Sequence, residues 1–209
     1  MGAKLAALQQ AEMRLPLTEA TRIAINLCDA VDYAHQRRMI HRDIKPANVM
    51  INLLGEPILM DFGIARLVGQ PLTALDEQTA LGTALYMSPE QALGNAVDYR
   101  ADIYSLGALI YEMLDGRPPF PGDSIQHILD QQISAAVPDL FAANSNLPQT
   151  LITIVERALE NSRSAATNLR PIWPPLYKRW PSTCKTPGNS RLSPFGASGP
   201  PVAASQRGV

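Results

Sequence analysis

The chain has 209 residues, with 18 Lys+Arg against 19 Asp+Glu and a formal net charge of −1, which suits one ordinary domain and points to no clear nucleic-acid partner. No run approaches the roughly 20 apolar residues of a membrane span, and the start, Met1-Gly2-Ala3-Lys4, lacks the apolar core of a signal peptide, so the chain is expected to be soluble and cytoplasmic. Cys28 and Cys184 have no metal-ligand spacing, and no disulfide is expected.

In chain order, residues 3–13 are rich in Ala, Leu and Gln and predict a helix, stopped by Arg14-Leu15-Pro16. Thr18 then has the chemistry of an N-cap, with Glu19 in the first turn. Ala20, Ile23, Ala24, Leu27, Ala30, Val31 and Ala34 recur at helical spacing up to about Gln36. Cys28 falls in this apolar pattern as a small buried side chain. A polar stretch follows, His41-Arg42-Asp43-Ile44-Lys45-Pro46-Ala47-Asn48. Pro46 fixes its own φ and pushes Lys45 out of the helical region, which makes the loop rigid. Val49–Ile51 and Ile58–Met60 predict two short strands around a Gly55-Glu56-Pro57 turn, and the second strand runs into Asp61-Phe62-Gly63.

Residues 70–81 are polar with scattered Thr and predict a mobile loop, followed by Gly82-Thr83-Ala84-Leu85-Tyr86-Met87-Ser88-Pro89-Glu90-Gln91. Asp98 to Leu114 predicts an apolar helix, inside which Asp102 needs hydrogen-bond partners to be tolerable. Ser124–Ser134 and Leu147–Glu160 predict two further helices. Composition then changes. Residues 1–160 carry 11 Lys+Arg against 19 Asp+Glu, a balance of −8, whereas residues 161–209 carry 7 Lys+Arg, no acid and 8 of the 18 prolines. This basic Pro-rich tail is expected to be disordered.

The stretch His41 to Asn48 matches H-R-D-x-K-x-x-N, and Asp61-Phe62-Gly63 matches the D-F-G that follows it, so the chain resembles the protein kinases. Lys45 and the Gly82 to Gln91 pattern are similar to the bacterial-type (Hanks-type) serine/threonine members. The alternative for each motif is a polar turn, and the ordered spacing of several landmarks weighs against it. The resemblance implies an α+β fold: the mainly helical C-terminal lobe of the kinase fold over residues 1–160, with a short β-hairpin beside the catalytic loop. It also implies a purpose for each residue type. A hydroxyl aimed at a γ-phosphorus needs a carboxylate near its proton, a cation against the phosphate oxygens and oxygen ligands for Mg²⁺. Asp43 would be the carboxylate, Lys45 the cation, and Asn48 and Asp61 the metal ligands, with ATP and Mg²⁺ as cofactors and a protein as substrate. His41, Arg42, Phe62, Gly63, Thr83, Glu90 and Asp102 would be supporting residues: Thr83 lying against Asp43 and Lys45, Asp102 accepting from the loop backbone. Arg42 would bind a phosphate on the activation segment (residues 61–90), making Thr73 or Thr79 the candidate phosphosite.

No G-x-G-x-x-G precedes His41, nor a strand bearing the ATP-anchoring Lys, so the N-terminal lobe, which would be the main intramolecular partner, is expected to be missing and the chain inactive alone. A catalytically silent binding or scaffold module therefore stands as the alternative. The family's Arg that pairs with the carboxylate at Glu90 is also absent after Glu160. Codons compatible with Glu160 to Pro171 can be chosen so that a shifted frame restores it, and the tail is accordingly expected to be a frameshift product, with a genuine basic linker as the competing possibility.

Overall fold

The computed structural model describes residues 3–7, 14–62, 77–143 and 146–161. In chain order the elements are β1 (Ala3–Lys4), α1 (Leu17–Gln36), a 3-10 turn (Pro46–Asn48), β2 (Val49–Ile51) and β3 (Pro57–Leu59). Then come α2 (Glu77–Ala84), α3 (Pro89–Ala92), α4 (Tyr99–Asp115), α5 (Ile125–Ser134), α6 (Leu140–Ala143) and α7 (Gln149–Asn161).

Helix α4 is the axis of the fold. Asp98 caps it by accepting from the Arg100 amide at 2.9 Å, and Gly116 ends it in the left-handed region at φ 88°, where a side chain would be strained. Its apolar residues run round the whole helix, the pattern of a fully buried element, and Ala101 to Tyr111 are all buried. Helix α1 lays Ala20, Ile23, Ala24, Leu27, Cys28 and Val31 against this core, and α7 adds Leu151, Ile152, Val155 and Leu159. Each fully buried Leu or Ile contributes roughly 1.5–3 kcal/mol relative to exposure. The approach to α1 is tied to the far end of α4: the Leu15 amide donates to the Met113 carbonyl at 3.0 Å and Arg14 Nε to the Asp115 carbonyl at 2.6 Å.

Three local expectations are corrected. Thr18 does not cap α1; the cap position is Pro16, which makes no side-chain cap bond, and Thr18 lies in the first turn. Pro16 presets the φ at which the chain enters the helix, and a Pro there needs no amide donor. Residues 3 and 4 are not helical but pair antiparallel with β2, Ala3 opposite Ile51 and Lys4 opposite Met50, so the expected hairpin is the larger part of a three-stranded sheet of order β1-β2-β3. The open edge of β2 overrides the helix propensity of Ala and Lys, and Leu5, helical with Ala6 and Ala7, is fully buried just beyond it. The expected mobile loop is helical over its end, since Glu77–Leu81 lies in α2, while residues 70–76 are outside the described residues.

The hairpin turn spans residues 52–56. Asn52 Oδ1 accepts from the Leu54 and Glu56 amides, both at 2.9 Å, and Gly55 supplies the positive φ of 81°. Pro57 is tolerated inside β3 because β3 is an edge strand and spares a ladder donor.

Helices α4 and α7 approach tightly at Gly107, where a Cβ would come within 2.8 Å of the Ala158 Cβ. Gly107→Ala is expected to cost about 1–3 kcal/mol despite the better helix propensity of Ala, because overpacking at a rigid helix crossing outweighs it. Gly82→Ala in α2, with nothing within 4 Å, is expected to gain a fraction of a kcal/mol up to about 1 kcal/mol. Urea unfolding of both variants checks the opposite signs.

Candidate active site

The loop from His41 to Asn48 hangs from one carboxylate. Asp102, 1% exposed in α4, accepts from the His41 amide at 2.8 Å through Oδ2 and from the Arg42 amide at 2.7 Å through Oδ1. His35 Nε2, on the last turn of α1, reaches the same Oδ2 at 2.7 Å. Arg42 sits at φ 67°, a left-handed conformation that costs a non-glycine residue about 1–3 kcal/mol and persists only where its surroundings hold it. Two further bonds do so: Gln91 Nε2 donates to the Arg42 carbonyl at 2.9 Å, and the His41 ring lies 2.8 Å from the Met60 carbonyl through Nε2. The Asp43 amide donates to His41 Nδ1 at 3.3 Å, so both His41 contacts suit the tautomer with its proton on Nε2. Phe62 stacks obliquely on this ring, centroids 4.7 Å apart.

The loop so fixed gathers the polar groups. Asp43 Oδ2 is held by Lys45 Nζ at 3.0 Å and by Asn48 Nδ2 at 2.9 Å, and the same Nδ2 donates to the Asp43 carbonyl at 2.8 Å. Lys45 Nζ also donates to Thr83 Oγ1 at 2.9 Å, so α2 is linked to the loop through one hydroxyl, which itself donates to the Thr79 carbonyl at 2.9 Å. With both amide protons of Asn48 directed at Asp43, its Oδ1 is left facing other chemistry, and among the described residues it has no hydrogen-bond partner.

Asp61 is placed by the sheet. The Met60 amide donates to the Asn48 carbonyl at 2.8 Å, which ties the end of β3 to the residue before β2, and Asp61 follows at φ 57°, a conformation Asp tolerates better than most residues. Its exposed carboxylate and Asn48 Oδ1 are two hard oxygen donors at neighbouring strand ends. That is a fitting protein share for Mg²⁺, which keeps several waters and dislikes all-protein cages.

The structure thus brings His41, Arg42, Asp43, Lys45, Asn48, Asp61, Phe62, Thr83 and Asp102 to one place. Thr79 lies exposed on α2, and Gly63 and Thr73 fall outside the described residues. Sequence reasoning missed His35, whose place in the last helical turn six residues before His41 was the available signal, and the side-chain role of Gln91. Beside the loop opens a cavity of about 480 Å³ whose lining includes Lys45, Ala47, Thr79, Leu85, Tyr86 and Glu112. Burial, and then the Glu112 carboxylate that accepts from the Tyr86 hydroxyl, push that phenol well above its usual range, keeping it a donor.

Residues 1–170 match the family model described as the protein kinase domain. The probable serine/threonine-protein kinase PknB of Bifidobacterium longum is 44% identical over 146 residues, covering 69% of this chain and 21% of that protein. The serine/threonine-protein kinase PknB of Mycobacterium tuberculosis is 40% identical over 162 residues, covering 74% of this chain and 26% of the relative. For its counterpart in Mycobacterium leprae the values are 42% over 137 residues, 63% and 22%. The chain therefore spans about a quarter or less of the length of the curated relatives it matches.

Glu90, in α3, stands apart from this network. Its Oε2 is buried and has no hydrogen-bond partner among the described residues, and burial raises its carboxyl above the usual range. A raised folded-state value means that the folded chain holds the proton more tightly than the unfolded chain. Stability from this group is therefore fully present below the unfolded value and is lost as pH rises through the folded one. Glu90→Gln removes that loss, so its stability relative to wild type is expected to rise between mildly acidic and neutral pH. Urea unfolding at both conditions checks it; a difference independent of pH would contradict the burial penalty.

Proposed function

The chain belongs to the protein kinase family, and we propose that it supplies the acceptor and metal side of a bacterial-type serine/threonine kinase site. The observation that carries this reading is the engagement of Asp43: Oδ2 is occupied by Lys45 and Asn48, while Oδ1 has no hydrogen bond among the described residues. In this reading Oδ1 takes the proton of a serine or threonine hydroxyl as its oxygen bonds to the γ-phosphorus and the bond to the bridging oxygen breaks. ATP and Mg²⁺ supply the phosphoryl group and offset its charge, with Asn48 and Asp61 as the protein ligands. Lys45 neutralises charge on the transferred group, and Thr83 keeps its ammonium on the loop.

No glycine-rich loop precedes His41 in the sequence, so the half of the site that covers the nucleotide is assigned to residues other than these 209, and the chain by itself is proposed to be inactive. The protein substrate and a cytoplasmic setting belong to the same proposal; among the described residues no helix is long and apolar enough to cross a membrane. A silent binding module is the weaker reading, because it gives no physical reason for four phosphate- and metal-directed groups to converge. The folded unit is proposed to end near residue 160, supported by the change there to an acid-free, Pro-rich composition, although the family match runs on to residue 170; the tail and its proposed frame lie outside the described residues.

In the chain completed with a nucleotide-covering lobe, Asp43→Asn is expected to abolish transfer and Asp61→Asn to do so by weakening Mg²⁺ binding, measured as phosphate incorporated into a serine-containing protein. Near wild-type transfer by the Asp43 variant would sink the assignment. In the same active protein, phosphate is expected on Thr73 or Thr79, because Arg42 Nε is buried without a partner among the described residues and can order a loop phosphate by charge-assisted hydrogen bonds. Mass spectrometry finding none between Asp61 and Glu90 would count against it.

A further inference from the structure

Helix α5 is not part of the loop network, yet it carries a wholly buried amide. Gln132 is 0% exposed, and its Nε2 donates to the Ala84 carbonyl at 3.1 Å and the Leu85 carbonyl at 2.9 Å. Its Oε1 accepts from the hydroxyl of Tyr104, itself 0% exposed in α4. Because only the nitrogen can donate to two carbonyls, the orientation of the amide is unambiguous. The next carbonyl is held as well: Ser105 Oγ, from α4, donates to the Tyr86 carbonyl at 2.7 Å. Three successive carbonyls, those of residues 84–86, thus each accept from a buried side chain, and only that of Ala84 also takes a long backbone bond.

The pinned segment lies between two parts of the site. Thr83, directly before it, bonds Lys45, and Leu85 and Tyr86 form a wall of the cavity that also takes in Lys45 and Ala47. The backbone of this wall has only weak support of its own, the Tyr86 amide to the Thr83 carbonyl at 3.2 Å and the Met87 amide to the Ala84 carbonyl at 3.3 Å. A buried polar chain that ends on backbone carbonyls costs desolvation that an apolar core would avoid, and it returns a fixed geometry.

We propose that Gln132, oriented by Tyr104, is a positioning residue that sets the distance between the Leu85–Tyr86 wall and the Lys45 side of the cavity, and thereby governs how well a protein acceptor binds. This rests on the kinase reading above. Gln132 touches neither the reacting atoms nor Asp43, so its loss weakens acceptor binding while the chemistry is kept. Tyr104→Phe deletes only the hydroxyl that orients the amide, and Gln132→Met keeps the volume while removing both donors. Gln126→Ala, exposed on α5, serves as the control.

The test pairs two measurements. Hydrogen exchange on the 209-residue chain is expected to quicken about tenfold at residues 84–88 in Gln132→Met and Tyr104→Phe, the effect of losing one or two buried hydrogen bonds, with α4 and α7 unchanged. In the chain completed with a nucleotide-covering lobe, KM for a serine-containing peptide is expected to rise about tenfold, with kcat and KM for ATP held within about twofold, and Gln126→Ala is expected to match wild type. Unchanged exchange, exchange raised uniformly over α4 and α7, or a fall in kcat at constant peptide KM would each overturn the proposal. Absence of transfer by the completed wild type would overturn the kinase reading instead, and the role of Gln132 in acceptor binding with it.

Discussion

Everything at the site depends on the Asp102 carboxylate. A buried Asp in the first turn of an apolar helix is destabilising unless its lone pairs are filled, and here two backbone amides and a histidine fill them. Removing it would leave the His41 and Arg42 amides unpaired in the core, at about 1–3 kcal/mol each, and would free Arg42 to leave the left-handed backbone that these bonds hold. A largely buried helix thereby dictates where the loop carrying Asp43, Lys45 and Asn48 can lie.

The remaining parts are attached to this loop by separate short links. The Met60 amide and the His41 ring join the sheet to it, which carries Asp61 and Phe62 into place. The Thr83 hydroxyl joins α2 to it, and Gln91 joins α3, whose first turn is secured by a capping box between Ser88 and Gln91. Each link is one or two hydrogen bonds, while the helices behind them are held by extensive apolar burial.

Much of this was legible in the sequence because motif residues carry their own chemistry. An Asp inside an apolar helix announces a need for polar partners, while it was the resemblance to the kinases that named the loop backbone for Asp102 and Lys45 for Thr83. What escaped depended on partners distant in sequence. Ala3 and Lys4 are helix formers that became a strand because an open sheet edge was available, and Glu77 to Leu81 became helical although their composition suggests a loop. Gln132 lies 47 residues from the Leu85 carbonyl it holds, and a Gln in an amphipathic helix gives no sign that it is buried. His35 escaped for the same reason, since its pairing with Asp102 spans 67 residues.

The account stands or falls on whether the ordered loop is one half of a nucleotide site. The direct measurement is a calorimetric titration of Mg²⁺–ATP into the chain alone and into the chain completed with a nucleotide-covering lobe, each as wild type and as Asp61→Asn. The account predicts tight, Mg²⁺-dependent binding only in the completed wild type, with most of the metal dependence lost in the Asp61 variant. Binding in the completed protein that is unaffected by Mg²⁺ and by Asp61→Asn, or no binding at all, would contradict it.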